Sequence, residues 1–182
     1  MLKLRHTEPT EPLVLSMTAV RMADRLLVVG CADPKVVAQL AVKPGLSGRA
    51  CAVDESPERT ARATTAAEAE GALVEVETAT VTMLPFDPES FDVVVISHLL
   101  PELTADRRAG ALREAIRVLR SGGRCVVIQP GRRRGLAGLF SSGPSMPAAE
   151  IEAAMEAAGL RAVRTIAERQ GLIFLEGARP GR

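Results

Sequence analysis

Few side chains in this 182-residue sequence can do chemistry, and most of them stand next to short apolar runs. Asp54 closes the run 49–53, with Glu55 beside it, and His98 directly follows the run 91–97. An imidazole titrates near neutral pH and serves as a general base where a proton must leave. A histidine hydrogen-bonded at a strand end is the plainer reading of the same position. Asp54 is likewise either a ligand-binding carboxylate or an exposed loop acid. Cys31 lies just before a helix start, where a thiol can become reactive, although a small buried filler suits its neighbours better. Arg132, Arg133 and Arg134 are consecutive. Such a cluster receives an anionic substrate or a phosphate-bearing partner, or simply forms a solvated surface.

Composition narrows the chemistry further. Cys31, Cys51 and Cys125 are odd in number and far apart, which suits buried thiols in a reducing compartment rather than disulfides or zinc. With two histidines and no Cys-x-x-Cys, no metal centre is expected. The chain has no Trp, no Tyr and only four Phe, so it offers little for stacking bases, and no nucleic-acid partner is expected. A net charge of +1 gives no general attraction to nucleic acid or acidic membranes. No apolar run approaches the length of a membrane span, and the first residues lack the apolar core of a signal peptide. The expected location is cytoplasmic.

The elements that must position these residues begin at 25–35. There an apolar run, Leu26 to Val29, meets Gly30, then Asp33 as a helix N-cap and Pro34 as the first helical residue. Strand, glycine turn and helix opening form the ligand-binding corner of a doubly wound α/β domain. An apolar share of 47% and this length predict one domain over 1–182, with 1–11 loose. A helix is expected over 12–22, carrying Leu13, Met17, Val20 and Met22 on one face. Strands are expected at 49–53, 73–76, 91–97 and 124–128. Between them come helices begun by Ser56-Pro57 and by Thr104, the second carrying Leu112, Ile116 and Leu119 to a stop at Gly122. Residues 130–147 are expected to form a mobile loop, in which the apolar 136–140 could dock a partner or a second copy of the chain. A helix over Ile151, Met155 and Ala158 ends at Gly159. Two β-rich runs, 160–166 and 172–175, are too close for a crossover helix, so they form an antiparallel hairpin.

Five β/α steps, a terminal hairpin and two motifs, one opening Leu84-Pro85-Phe86-Asp87 before the fourth strand and one ending Ser121-Gly122-Gly123-Arg124 before the fifth, resemble the class I S-adenosylmethionine-dependent methyltransferases. The similarity is greatest to the small-molecule group that includes the ubiquinone/menaquinone C-methyltransferases. One motif is Leu84-Pro85-Phe86-Asp87-Pro88-Glu89-Ser90-Phe91-Asp92-Val93-Val94, which matches the loop into strand four. The other is Leu112-Arg113-Glu114-Ala115-Ile116-Arg117-Val118-Leu119-Arg120-Ser121-Gly122-Gly123-Arg124, which matches the helix and turn before strand five. The resemblance implies a doubly wound, mostly parallel seven-stranded sheet with helices on both faces. It also implies S-adenosylmethionine as cofactor, bound around Gly30, Cys31, Ala32, Asp54, Glu55, Thr82, Met83, Leu84 and Ser97. The acceptor would lie near Ser97 to Pro101, with His98 as base if the acceptor is a hydroxyl.

The cofactor motif is degenerate. The family's acidic residue on strand one falls on Val28, and the second and third glycines of its Gly-x-Gly-x-Gly turn fall on Ala32 and Pro34. Ala32 adds a methyl group, while Pro34 fixes φ and removes a donor. The acidic residue that faces the adenine amino group in the family falls on Thr80. Asp54 survives where the family binds both ribose hydroxyls, and a carboxylate can accept from both at once. Two functions follow: methyl transfer to a small molecule, or a methyltransferase-fold protein that has lost catalysis and works as a binding module. A nicotinamide cofactor is disfavoured, because Asp33 puts a carboxylate at the helix N-terminus that a pyrophosphate would need.

Overall fold

The computed structural model of the chain describes residues 12–131 and 145–181. Seven strands form one sheet in the order β3-β2-β1-β4-β5-β7-β6. They are β1 (Arg25–Val29), β2 (Arg49–Asp54), β3 (Glu75–Thr78), β4 (Phe91–Ser97), β5 (Leu119–Pro130), β6 (Arg161–Arg169) and β7 (Leu172–Ala178). The first five pair in parallel, and β7 and β6 add antiparallel. This is the Rossmann-like methyltransferase architecture, with the expected hairpin at its end. The chain builds outward through β2 and β3, then returns to the other side of β1 as β4. The C-terminal ends of β1 and β4 therefore flank a topological switch point, where open α/β sheets bind ligands.

The helices are α1 (Leu13–Thr18), α2 (Pro34–Val42), α3 (Pro57–Ala69), α4 (Ala105–Val118) and α5 (Ala148–Ala158). Alternate residues of each inner strand feed two cores. Leu27 and Val29 of β1 join Ile96, Leu112 and Met155 on the α4/α5 face. Leu26 and Val28 join Val37, Leu40 and Ala63 on the α2/α3 face. Burial on both faces is why these strands read as unbroken apolar runs. Asp33 caps α2 through its side chain, accepting from Lys35 N–H at 3.0 Å, and Ser56 caps α3 by accepting from Arg59 N–H at 3.3 Å.

Some boundaries differ from expectation. Helix α1 stops at Thr18 because Ala19 turns left-handed at φ 47°, and Met22 is left exposed instead of packing with Leu13 and Met17. Strand β3 lies two residues later than 73–76: pairing to β2 begins at Glu75 opposite Cys51, which leaves Leu73 exposed. Helix α4 ends at Val118, since Leu119 already pairs with Phe91, and β5 extends from there to Pro130. Thr104 occupies the N-cap position of α4 without a side-chain bond. Within 130–147, Met146 is buried in the first core, and its carbonyl accepts from Gln129 Nε2 at 2.8 Å. The expectations for 1–11, for Arg132–Arg134 and for 136–140 fall outside the described residues.

Candidate active site

Three strand ends meet at the switch point. Gly30 N–H donates to Val53 O at 2.8 Å, tying the turn after β1 to β2. The next amide, Cys31 N–H, donates to Asp54 Oδ2 at 2.7 Å, and Ser56 N–H donates to Asp54 Oδ1 at 2.9 Å. Asp54 is thus no loose surface acid: it is 3% exposed and anchored by two backbone donors. Each of its oxygens keeps further lone-pair capacity. Gly30 has φ 97°, and a Cβ there would stand 2.3 Å from Ser97 O, so the turn lies directly against the end of β4.

Glu55 and the stretch before Leu84 form the adjoining wall. Glu55 Oε1 accepts from Thr80 Oγ1 at 2.9 Å, from Val81 N–H at 3.1 Å and from Arg107. Burial alone would raise the Glu55 carboxyl, but the Arg107 bond, then the Val81 and Thr80 bonds, hold it below its ordinary value. Thr82 meets Thr80 at 3.2 Å between hydroxyls, Leu84 is buried with its N–H donated to Glu114 at 2.7 Å, and Met83 is 72% exposed. Gly30, Cys31, Asp54, Glu55 and Ser97 therefore gather at the strand ends, and Thr80–Val81 links the 82–84 stretch to them. Ala32 lies half-buried in the turn between Cys31 and the Asp33 cap.

A cleft of about 280 Å³ opens beside Asp54 and Glu55, bounded by Leu99, Leu103, Arg59, Glu102 and Arg107. The last three were not legible in the sequence, because single charged residues on a helix or turn carry no pattern. Arg59 pairs with Glu102 at 2.8 and 3.1 Å, and its Nη1 stands 3.8 Å from Asp54 Oδ2. Three carboxylates and two guanidiniums thus line the cleft. Cys31 is not a nucleophile: burial, then the Asp54 carboxylate, push its thiol up to about 12 against the opposing Arg59. All three cysteines are free and buried. Among the described residues no group of metal-binding side chains forms, and no helix is long and apolar enough to cross a membrane.

His98 is half-buried, with φ 55° and its Nδ1 at 2.9 Å from Ser97 Oγ. A left-handed backbone at a non-glycine residue is a local strain of the kind that collects at functional sites. Burial holds its pKa below the usual 6.5, while the Asp33 and Glu102 carboxylates pull the other way. The ring is neutral at pH 7, as a base must be. Because the folded value is the lower one, the unfolded chain takes up this proton first on acidification. The contribution from a neutral His98 is complete above about pH 6.5 and is lost as pH falls through the folded value. Urea midpoints taken between about pH 7.5 and 5.5 should fall more steeply for the wild type than for His98→Asn, a replacement that tolerates this φ. Equal slopes would show that burial does not perturb the ring.

Comparison with known proteins agrees with this architecture. Residues 27–127 match the model of a family described as methyltransferase domain. No curated protein matches. Among solved structures, a SAM-dependent methyltransferase from Aquifex aeolicus has a TM-score of 0.77 at 20% identity, covering 91% of this chain and 87% of that one. The [4+2]-cyclase SpnF scores 0.73 at 18% identity, covering 94% and 80%. The S-adenosylmethionine-dependent methyltransferase SibL scores 0.74 at 23% identity, covering 94% of this chain and 55% of its own. Such distant likenesses show the fold alone. The family model spans more than half of the sequence, from β1 into β5, and the chain belongs to the methyltransferase-domain family.

Proposed function

We propose that this chain binds S-adenosylmethionine at the Gly30–Asp54 corner and transfers its methyl group to a small-molecule acceptor. The observation that carries the reading is Asp54: a buried carboxylate, aimed by the Cys31 and Ser56 amides at the end of β2, beside the glycine turn. Its spare lone pairs suit a pair of ribose hydroxyls. The excess of carboxylate along the cleft suits a ligand that brings an ammonium and a sulfonium rather than phosphates. The cofactor supplies an electrophilic methyl group on sulfur. The protein has then mainly to align the acceptor with it and exclude alternatives. For a hydroxyl acceptor, His98 takes the proton as the new bond forms, and Ser97 Oγ orients the ring through Nδ1. For an acceptor that is already nucleophilic, no base is needed. The small-molecule class, and its similarity to quinone C-methylation, rest on the strand-four motif; a cytoplasmic setting fits the three free thiols.

Calorimetric titration with S-adenosylmethionine and S-adenosylhomocysteine tests the cofactor. Micromolar binding is expected and would justify an acceptor screen. Absence of both heat and thermal shift at millimolar ligand would refute the reading.

A further inference from the structure

Two ion pairs cross the switch point. Arg59 of α3 grips Glu102, in the short turn after β4, with both guanidinium branches at 2.8 and 3.1 Å. Glu55, at the end of β2, grips Arg107 in the first turn of α4. Strands β2 and β4 are not neighbours, because β1 runs between them. Two strand spacings amount to about 10 Å, so each pair joins chain segments that lie on either side of the C-terminal end of β1. That is where the Gly30–Ala32 turn lies.

The pairs also hold the groups that a nucleoside would use. The Arg59 cation stands 3.8 Å from Asp54 Oδ2, over the carboxylate assigned to the ribose. Glu55 takes Val81 N–H and Thr80 Oγ1, the polar groups at the position assigned to adenine. We propose that Arg59–Glu102 and Arg107–Glu55 form a strap across the cofactor cleft, which must open for S-adenosylmethionine to enter and for its demethylated product to leave. This rests on the cofactor reading above. All four side chains are a third or more exposed. Such pairs are at the weak end of the range, and salt weakens them further, so the strap taxes binding without blocking it. On this view Glu55 competes with the ligand instead of contacting it.

Calorimetric titration with S-adenosylhomocysteine separates the cases, using wild type, Arg59→Ala, Glu55→Ala and the double variant. Each single variant should bind about threefold tighter than wild type, the size expected for one exposed pair. Wild-type affinity should rise between about 0.05 and 0.5 M salt, and the double variant should lose that response. Wild-type binding with unchanged or weaker binding in the variants would overturn the strap and leave the cofactor reading standing. No binding by any of the four proteins at millimolar ligand would overturn both.

Discussion

Gly30→Ala is expected to lower the unfolding free energy by about 3 kcal/mol or more, among the larger effects a single methyl group can have. Two costs add. At φ 97° an L-residue is strained wherever it stands, by about 1–2 kcal/mol. The new Cβ would also sit 2.3 Å from Ser97 O and 3.1 Å from Leu99 Cβ, and neither is the free end of a flexible side chain. The turn cannot simply retreat, because Gly30 N–H is bonded to Val53 O and the next amide to Asp54. Relief must come from separating β1 from β4 at the switch point, an overpacking cost of about 1–3 kcal/mol. For a domain of this size the melting temperature should fall by about 6–12 °C. Gly45→Ala is the control. That residue also has positive φ, at 61°, but nothing lies within 4 Å of the added Cβ, so only the backbone cost applies. Equal losses in the two variants would show that close packing of the turn against β4 contributes nothing.

This glycine also shows which parts of the molecule could be read from sequence. The run into Gly30 and the Asp33-Pro34 helix start are local signals, and they appear where expected because propensity, capping and burial all agree there. The same holds for β4, an apolar run covered on both faces, and for the hairpin, whose short connection allows only antiparallel pairing. Strand β3 slipped by two residues because an exposed edge strand is set by its register with β2 and not by its own alternation. The end of α1 was missed because nothing in Ala19 announces a left-handed residue.

In the candidate site, the placement of Gly30, Cys31 and Asp54 was legible because they end a strand or follow one directly, and strand ends converge in this topology. Arg59, Glu102 and Arg107 were not. Each is a solitary charge on a helix or turn, indistinguishable in sequence from a solvated face. Their meaning comes from long-range pairings across 43 and 52 residues, which only the folded chain supplies. The φ of His98 is of the same kind: it is imposed by the junction with β5, where its amide donates to Ile128 O at 2.8 Å.

Asp54→Ala should affect folding and binding together, and the comparison with Asp54→Asn separates the two. In the alanine variant the Cys31 amide loses its acceptor in a buried position and the Ser56 amide loses its acceptor in a partly buried one. Each bond to a charged group is worth about 1.5–3 kcal/mol, so a loss of about 3 kcal/mol in stability is expected from denaturant unfolding. Asparagine keeps the volume and one carbonyl oxygen. It can still accept one of the two amides, but its NH2 group faces the other as donor against donor. The asparagine variant should therefore fold with roughly half that penalty. Binding follows a different rule. A ribose needs acceptors beyond those the two amides consume, and asparagine has one oxygen where aspartate has two. S-adenosylhomocysteine affinity should fall by at least about tenfold in Asp54→Asn, and binding should be undetectable in Asp54→Ala. If Asp54→Asn lost stability but bound the ligand as tightly as wild type, Asp54 would be a structural clamp between β1 and β2 only. The ribose would then have to be held elsewhere. A variant that keeps its fold and loses its ligand is the result that ties the buried carboxylate to the cofactor.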